Sequence, residues 1–475
     1  MTLPNGWEMV VGLEVHTELL TKSKLFCGCA NHFGAEPNTN ICPVCLGLPG
    51  SLPVLNREAV DFAMRIGMAL HCSIAPSTFH RKNYFYPDQS KDYQISQYDL
   101  PINSAGYLDL PDASRVSIER AHMEEDTGKS THLGGTGRLA GADSSLVDYN
   151  RCGVPLVEIV SGPDIRSSAQ ARAYAAELRG ILIATGASDG RLEEGSMRFD
   201  ANVSVRQSGA AFGTRCEIKN LNSLRSLQRA IDYEALRQIQ LIEAGGVVRQ
   251  ETRHWDENLG QTSTLRVKED ADDYRYFRDP DLVDLAPDQA WQDRVRAALG
   301  PMPAERRAGV VSLLTGASEA QLDAVEVVID LGLEGYVHAV AAAGGDPALA
   351  VARVANELAG DVDNVGHLTS DAFVMTLAME QRGELSATQA KTVLGELLAH
   401  GGDPRSIAAA KGFEQLSADT LGSTVATLIE ANPDEWNRYR EGDEKLAQFF
   451  IGQVMKSTKG QANGKAVIAE LQARR

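Results

Sequence analysis

The fold is decided by segments such as LEVHTE at residues 13–18 and FDANVSVR at residues 199–206. Both alternate between apolar and polar side chains, which is the period of a β-strand with one buried face. In the first segment Leu13 and Val15 share one face, and the other face carries Glu14, His16 and Glu18. Similar segments recur through residues 1–280, separated by Gly, Pro, Asn and Asp. The sequence therefore predicts a strand-rich domain in this part of the chain.

Helical patterns interrupt the strands and then replace them. Ser167 and Gln170 form the signature of a capping box that opens a helix, and Gly186 is suited to end it. After about residue 290 the chain becomes Ala-rich with a helical period, and GGDP at residues 401–404 marks a second break. A last amphipathic stretch has apolar residues at helical spacing, at Leu446, Phe449, Phe450 and Val454. These patterns predict an α+β fold with helices in the C-terminal part.

The composition is that of a globular protein. The chain has 475 residues, enough for about three domains of ordinary size. Hydrophobic residues make up 43% and charged residues 23%, which excludes disordered, collagen-like and coiled-coil chains. No window reaches about 18 consecutive apolar residues, and a secretory signal pattern is absent. We therefore expect a cytoplasmic protein that does not cross a membrane.

The net charge of −18 restricts how the chain can bind nucleic acid. An acidic protein binds phosphates only where basic residues are concentrated. Residues 445–475 are such a region, with six basic side chains against one acidic side chain, a local net charge of +5.

Four of the seven cysteines form the pattern Cys27-x-Cys29-x12-Cys42-x2-Cys45. Two short cysteine pairs separated by a loop are typical of a closed, tetrahedral zinc site with a structural role. The alternatives are four free thiols left from a site that has lost its metal, or a redox pair. We expect zinc to bind within residues 27–45.

Acidic residues occur where strand patterns would place apolar ones. A run of three, Glu124, Glu125 and Asp126, ends one extended segment. Because an isolated buried carboxylate is costly, acids converging from several strands predict an oxygen-rich Mg²⁺ site. The alternative for any single residue is a solvated strand face or a local salt bridge. The acidic set comprises Glu14, Glu125, Glu158, Asp200 and Glu217, with His16 beside it.

Basic residues on neighbouring segments are suited to bind phosphate. Known nucleotide-binding loops do not account for them, because Met123 stands where a P-loop ending in Gly128-Lys129-Ser130 needs its first glycine. If ATP binds, we expect an acidic site built on strands to hold it through magnesium. The candidate phosphate-binding residues are Lys82, Lys91, Arg198, Lys219 and Arg275.

Longer motifs identify a family. The sequence resembles the B subunit of the bacterial tRNA-dependent amidotransferases over essentially its whole length. The motifs that carry the resemblance are VGLEVH (11–16), FGAEPNTN (33–40), HMEEDTGK (122–129), PLVEIVS (155–161), MRFDANVS (197–204), EIKNLNS (217–223), DDYRYF (272–277) and MKSTKGQAN (455–463).

The resemblance implies an architecture and a reaction. Residues 1–292 would form a strand-rich catalytic cradle similar to glutamine synthetase, 293–405 an all-helical domain, and 406–475 a tRNA-binding tail domain. The enzyme would use ATP to phosphorylate the side-chain carboxylate of Glu on tRNA(Gln) or Asp on tRNA(Asn), and ammonia would then displace the phosphate. Ammonia would come from glutamine hydrolysed by the A subunit, in a heterotrimer that a small C subunit fastens together.

The resemblance also implies roles for particular residues. The magnesium ligands would be His16, Glu125 and Glu158. Three further acids, Glu14, Asp200 and Glu217, would complete the pocket and hold a second, ATP-associated magnesium or orient ammonia. The tail would contact tRNA through Lys456, Lys459 and Lys465.

Two other functions are compatible with parts of this pattern. One is a tRNA-binding scaffold that zinc stabilises and whose partner chain performs the catalysis. Acidic residues near phosphates would not help such a scaffold to bind RNA. The other is the archaeal relative specific for Glu-tRNA, which carries a large inserted domain for which this chain has no room.

Overall fold

The computed structural model describes residues 3, 4, 6–134, 141–267, 274–413, 418–458, 462 and 464–475. The chain divides into two compact units, Met1–Met302 (unit 1) and Pro303–Arg475 (unit 2). Unit 1 is built around a large sheet and unit 2 is helical. This confirms the predicted α+β class and the change from strands to helices along the chain.

In its described part, unit 1 has a 12-stranded sheet in the order β13-β12-β11-β10-β1-β9-β6-β4-β3-β14, with β5 and β2 joined through β6. The pairings are antiparallel except for β11 with β12. A separate hairpin joins β7 to β8. The strands are β1 Trp7–Glu18, β2 Ser73–Ile74, β3 His80–Asn83, β4 Tyr93–Ser96, β5 Asn103–Asp109, β6 Arg115–Glu125, β7 Lys129–Leu133, β8 Ser144–Asp148, β9 Pro155–Ser161, β10 Met197–Gln207, β11 Cys216–Leu221, β12 Glu251–Asp256, β13 Gln261–Val267 and β14 Phe277–Arg278.

The central strand β1 shows why the sheet has two different faces. Leu13 and Val15 are buried in the apolar core, as their alternation predicts, whereas Glu14 and His16 point to the other face and are half-buried. Helices cover the core face, and their apolar side chains belong to the same core. They are α1 Arg57–Ala69, α2 Ser168–Ala184, α3 Leu224–Glu243 and α4 Gln289–Ala297.

Helix α2 begins after Ser167 and ends before Gly186, the two residues that the sequence indicates as its ends. Ser167 Oγ accepts a hydrogen bond from the backbone N–H of Gln170 at 3.0 Å, which caps the helix. The reciprocal half of the capping box differs from prediction, because the Gln170 side chain accepts from the backbone N–H of Arg166 instead. After Ala184 the chain leaves the helix through Gly186, whose φ of +69° favours glycine.

The described residues of unit 2 form two separate apolar clusters, one over residues 310–408 and one over residues 421–471. In the second, Phe450 and Val454 are fully buried, and Leu446 and Phe449 pack against them, as predicted from their spacing. Residues 354–358 form a π-helical turn and 359–367 a 3₁₀ segment. The helices are α5 Pro303–Val311, α6 Glu319–Asp330, α7 Glu334–Ala342, α8 Pro347–Arg353, α9 Ser370–Gln381, α10 Ala387–His400, α11 Pro404–Ala410, α12 Ala418–Ala431, α13 Pro433–Arg440, α14 Leu446–Ser457 and α15 Gly464–Arg474.

Across the described residues, every helix is too short or too polar to span a bilayer.

Candidate active site

The polar face of the unit 1 sheet lines a cavity of about 720 Å³. Among the described residues, its wall is built from eight strands, β1, β3, β4, β6, β9, β10, β11 and β12, together with adjoining loops. The register of the central pairings determines which side chains meet there, because residues directly opposite each other on antiparallel strands point to the same face.

One row of the cavity wall runs across three strands. His16 of β1 lies opposite Glu158 of β9, and Glu158 lies opposite His122 of β6. The Glu158 Oε2 atom is 3.4 Å from His16 Nε2 and 3.6 Å from His122 Nε2. Burial alone would raise the pKa of Glu158, but His122 and His16 hold it well below its ordinary value. Glu158 is therefore ionised at neutral pH.

Glu124, not Glu125, completes this row. Its Oε1 atom lies 3.3 Å from His122 Nε2 and accepts a hydrogen bond from Ser96 Oγ at 2.7 Å. The ligand atoms of His16, Glu124 and Glu158 all lie within 4.8 Å of one another, a spacing that suits one bound cation.

The prediction that Glu125 belongs to the magnesium set is therefore corrected. Glu125 follows Glu124 in β6, and successive strand residues point to opposite faces. Its carboxylate accepts a hydrogen bond from the backbone N–H of Ile95 at 2.9 Å and pairs with Lys91 away from the cavity.

A second acidic group lies beside the first. Glu14 of β1 is directly opposite Asp200 of β10, and Glu217 of β11 is opposite Asn202 of β10. The ligand oxygens of Glu14, Asp200 and Glu217 also lie within 4.8 Å of one another. The Asn202 side-chain amide donates to Glu14 at 2.9 Å, which fixes the orientation of that carboxylate.

Three of the five predicted phosphate-binding residues line the cavity: Lys82, Arg198 and Lys219. Lys219 Nζ is 2.5 Å from Asp200 Oδ2 and 3.0 Å from Glu217 Oε1. Burial lowers the pKa of Lys219, but these two carboxylates raise it above its ordinary value, so the ammonium stays charged. Lys82 behaves in the same way, because Glu124 raises its pKa against the effect of burial.

The other two predicted basic residues lie elsewhere. Lys91 pairs with Glu125 on the opposite side of the sheet from the cavity. Arg275 is exposed, with a φ of +46°, and does not belong to the described residues that line the cavity. Its backbone carbonyl oxygen accepts a hydrogen bond from Asn83 Nδ2 at 2.8 Å, a contact that does not involve the guanidinium group.

Sequence reasoning did not select several residues that shape the site. Asn202 shares the polar face of β10 with Asp200, so strand alternation could have found it. His122 shares the cavity face of β6 with Glu124 only because the pairing of β6 with β9 shifts by one residue, which alternation does not predict. Asp126 pairs with Arg198 at 2.8 Å, and its neighbour Glu18 has its pKa raised to about 8 by burial and by Asp126. Four tyrosines also line the cavity: Tyr84, Tyr98, Tyr274 and Tyr276.

The four predicted cysteine ligands form a cluster in unit 1. The sulfur atoms of Cys27, Cys29, Cys42 and Cys45 all lie within 4.8 Å of one another. The backbone N–H of Cys42 donates to Cys45 Sγ at 3.1 Å. The pKa of Cys45 is lowered to about 5, chiefly because Cys27 donates a hydrogen bond to it, while burial raises the pKa of Cys29 to about 11. Four soft sulfur donors at this spacing match a tetrahedral metal site.

The predicted tRNA-contacting lysines are only partly described. Lys456 is exposed near the end of α14. Lys459 lies outside the described residues. Lys465 is part of helix α15, and only its backbone is described.

Comparison with known families agrees with this geometry. Residues 9–293 match the model of the GatB/GatE catalytic domain, and residues 335–474 match the GatB domain. The first match covers the strands that build the cavity and the loop that carries the cysteine cluster. The cavity and the cluster therefore belong to a GatB/GatE catalytic domain.

Full-length relatives specify the family further. The chain is 48% identical to the B subunit of the aspartyl/glutamyl-tRNA(Asn/Gln) amidotransferase of Frankia casuarinae, over 97% of this chain and 94% of that protein. It is 45% identical to the protein of that name in Carboxydothermus hydrogenoformans, over 97% of each chain. The corresponding protein of Moorella thermoacetica is 47% identical, over 96% of this chain and 97% of that protein. The chain belongs to the family of aspartyl/glutamyl-tRNA(Asn/Gln) amidotransferase B subunits.

Proposed function

We propose that the unit 1 cavity activates the side-chain carboxylate of Glu on tRNA(Gln), of Asp on tRNA(Asn), or of both. A carboxylate oxygen attacks the γ-phosphorus of ATP, ADP leaves, and an acyl phosphate forms. Ammonia then attacks the carbonyl carbon and inorganic phosphate leaves, which gives the amide. The observation that carries this proposal is the meeting of two acidic groups on one cavity wall.

An acidic cavity favours this reaction over simple RNA binding. Carboxylates repel phosphates, so ATP binds among them only with divalent cations that neutralise its charge. Glu124, Glu158 and His16 are the residues that would hold one ion, since two carboxylates suit Mg²⁺ and the imidazole also suits Mn²⁺. The ion would supply charge neutralisation at the phosphates.

The protein's own charged groups would divide the remaining work. Lys82 and Lys219 line the cavity and stay charged there, and they would bind phosphate oxygens. Arg198 is held by Asp126 at the cavity wall. The group of Glu14, Asp200 and Glu217 has two possible tasks, either holding a second ion with ATP or orienting ammonia for attack.

We further propose a structural zinc ion at the cysteine cluster. Cys27, Cys29, Cys42 and Cys45 supply all four positions of a tetrahedron, which leaves none open for substrate. Zinc would hold the two ends of the loop over residues 27–45 together.

The proposed domains and partners follow the family. Residues 1–292 would be the glutamine synthetase-like cradle, 293–405 the helical domain and 406–475 the tRNA-binding tail, in a cytoplasmic heterotrimer with the A and C subunits. The net charge of +5 over residues 445–475 supports the tail assignment. Lys456, Lys459 and Lys465 would contact RNA phosphates.

ADP release that depends on misacylated tRNA tests the proposal in the assembled complex. Both Glu-tRNA(Gln) and Asp-tRNA(Asn) should be assayed. The tRNA that stimulates ADP release is the substrate. Glu217→Gln should lower this release, while Glu119→Gln, an exposed change on β6, should leave it unchanged. Normal tRNA-dependent release with Glu217→Gln would remove this carboxylate from the activation chemistry and favour the scaffold function instead.

A further inference from the structure

Lys24 is completely buried beside the cysteine cluster. Lysine is almost never fully buried unless its charge is paired. Lys24 Nζ donates a hydrogen bond to the backbone carbonyl of Asn40 at 2.9 Å, and its backbone N–H donates to the carbonyl of Cys29 at 3.0 Å. Both acceptors belong to the loop over residues 27–45, so Lys24 contacts this loop through its ammonium group and through its backbone.

The surroundings of Lys24 lack a carboxylate that would balance its charge. Within the described parts of unit 1, the ion pairs leave Lys24 without an acidic partner. The carboxylate of Glu125 lies nearby across Gly153, but it already pairs with Lys91. A carbonyl dipole does not neutralise a full charge, and a buried ammonium needs a negative partner to be stable.

The cysteine cluster is close enough to supply that partner. A Cβ atom placed on Gly153 would lie 3.6 Å from Cys45 Cβ and 3.7 Å from Lys24 Cδ, so both side chains pack against one glycine. Gly153 has a φ of +80°, and the backbone N–H of Leu25 donates to its carbonyl at 2.8 Å. These contacts bring the side chains of Lys24 and Cys45 together at Gly153.

We propose that Lys24 is a positioning residue for the cysteine cluster, whose ammonium offsets the negative charge of the metal-bound state. Four thiolates and one divalent ion carry a net charge of −2, and a partly buried centre of that charge needs positive charge close by. Neutral thiols would give Lys24 no such partner. Metal binding and the burial of Lys24 therefore stabilise each other. This inference rests on the zinc site proposed above.

Zinc affinity of the full-length chain, measured by competition with a chromophoric chelator, tests the inference. Lys24→Met keeps an unbranched chain of similar length without the charge, and it should weaken zinc binding by roughly 10- to 100-fold, the usual effect of removing a supporting group around a metal. Lys24→Arg keeps the charge and should stay within about 3-fold of wild type. Lys22→Met removes an exposed lysine two positions away and is the matched control.

A second readout separates a charge effect from a packing effect. With Co²⁺ in place of zinc, the sulfur-to-cobalt charge-transfer band should shift in Lys24→Met and Lys24→Gln but not in Lys22→Met, because the nearby charge changes the energy of the sulfur electrons. Equal zinc affinity and identical bands for wild type and Lys24→Met would overturn the inference and leave the zinc site standing. Equal weakening by Lys24→Arg and Lys24→Gln would also overturn it. Wild-type protein that binds no zinc would remove the zinc site itself.

Discussion

Glu14 and Asp200 lie directly opposite each other on the antiparallel strands β1 and β10, and both side chains line the same cavity. Like charges in this position destabilise a sheet. Lys219 offsets part of the repulsion through its contacts with Asp200 and Glu217. Concentrating acids in this way costs stability. The arrangement is consistent with a site that binds ATP together with divalent cations, because the cations supply the positive charge that the acids need.

Asp200→Asn should lower ATP-dependent activation by about 100-fold, on the scale of other charged groups placed for catalysis. Asparagine keeps the shape of the side chain, and Lys219 keeps Glu217 as a partner, so the unfolding midpoint should change little. Steady-state kinetics and thermal unfolding of the complex check both parts. Asp109→Asn, in an exposed pair with Arg115, is the matched control. Near-normal activation by Asp200→Asn would exclude this carboxylate from the site.

Glu124→Gln and Glu125→Gln should have different effects although the residues are neighbours. Glu124→Gln removes charge from the cavity, so we expect activation to fall by about 100-fold or more. The loss of stability should be smaller than for Glu125→Gln, because Lys82 keeps Glu158 as a nearby carboxylate. Glu125→Gln leaves Lys91 buried without its partner, which should cost about 3 kcal/mol and lower the unfolding midpoint by several degrees. Thermal unfolding and activation kinetics of both variants decide the question. The reverse pattern would restore Glu125 to the magnesium set.

Cys42→Ser should lower zinc content and the stability of unit 1 together. Loss of one thiolate from a closed site weakens metal binding, and the binding free energy of a structural metal is also folding free energy, on the order of several kcal/mol. Elemental analysis of protein purified without chelator, followed by unfolding, gives both quantities. Cys72→Ser changes a cysteine outside the cluster and is the control. Folded wild-type protein with almost no zinc would contradict the assignment.

Removal of the second apolar cluster of unit 2 should weaken tRNA binding. The cut belongs after residue 413, because Ala408 of α11 is buried in the first cluster. The truncated complex loses the basic region over residues 445–475, so its affinity for tRNA should fall and depend less on salt.

A point substitution tests the same surface without truncation. Lys456→Ala should reduce the slope of log affinity against log salt by about one if this lysine contacts a phosphate. Lys391→Ala, an exposed lysine of α10, should leave the slope unchanged. Binding titrations at several salt concentrations measure these slopes, and identical values for wild type and both tail variants would remove the tail from the tRNA surface.

The sequence could predict the alternating strands because one face of each is buried in an apolar core. It could not predict the side on which Glu124 lies. Val116 and Ile118 are core residues of β6, and counting in twos from them would place Glu125 on the polar face. The pairing of β6 with β9 shifts by one residue between Ile118 and Arg120, so Ala121 and Met123 continue the core and Glu124 reaches the cavity.

The cysteine spacing was sufficient to predict that the four cysteines meet in one cluster, because they come from one short loop. The phosphate-binding residues were harder to predict, because the sequence around a lysine or arginine does not show whether the side chain contacts a phosphate or a protein carboxylate. Lys82 and Lys219 point into the cavity, whereas Lys91 lies on a turn that brings it to Glu125. Such partners depend on tertiary packing, which local sequence does not encode.

Transfer of oxygen from substrate to phosphate tests the central claim most directly. The complex would be given Glu-tRNA(Gln), or Asp-tRNA(Asn) if that is the substrate, with both side-chain carboxylate oxygens labelled with ¹⁸O, and the released inorganic phosphate would be analysed by mass spectrometry. Activation through an acyl phosphate predicts one ¹⁸O atom in each phosphate, formed at a rate that Glu124→Gln lowers by about 100-fold and Glu119→Gln leaves unchanged. Unlabelled phosphate released during normal amide formation would contradict the account.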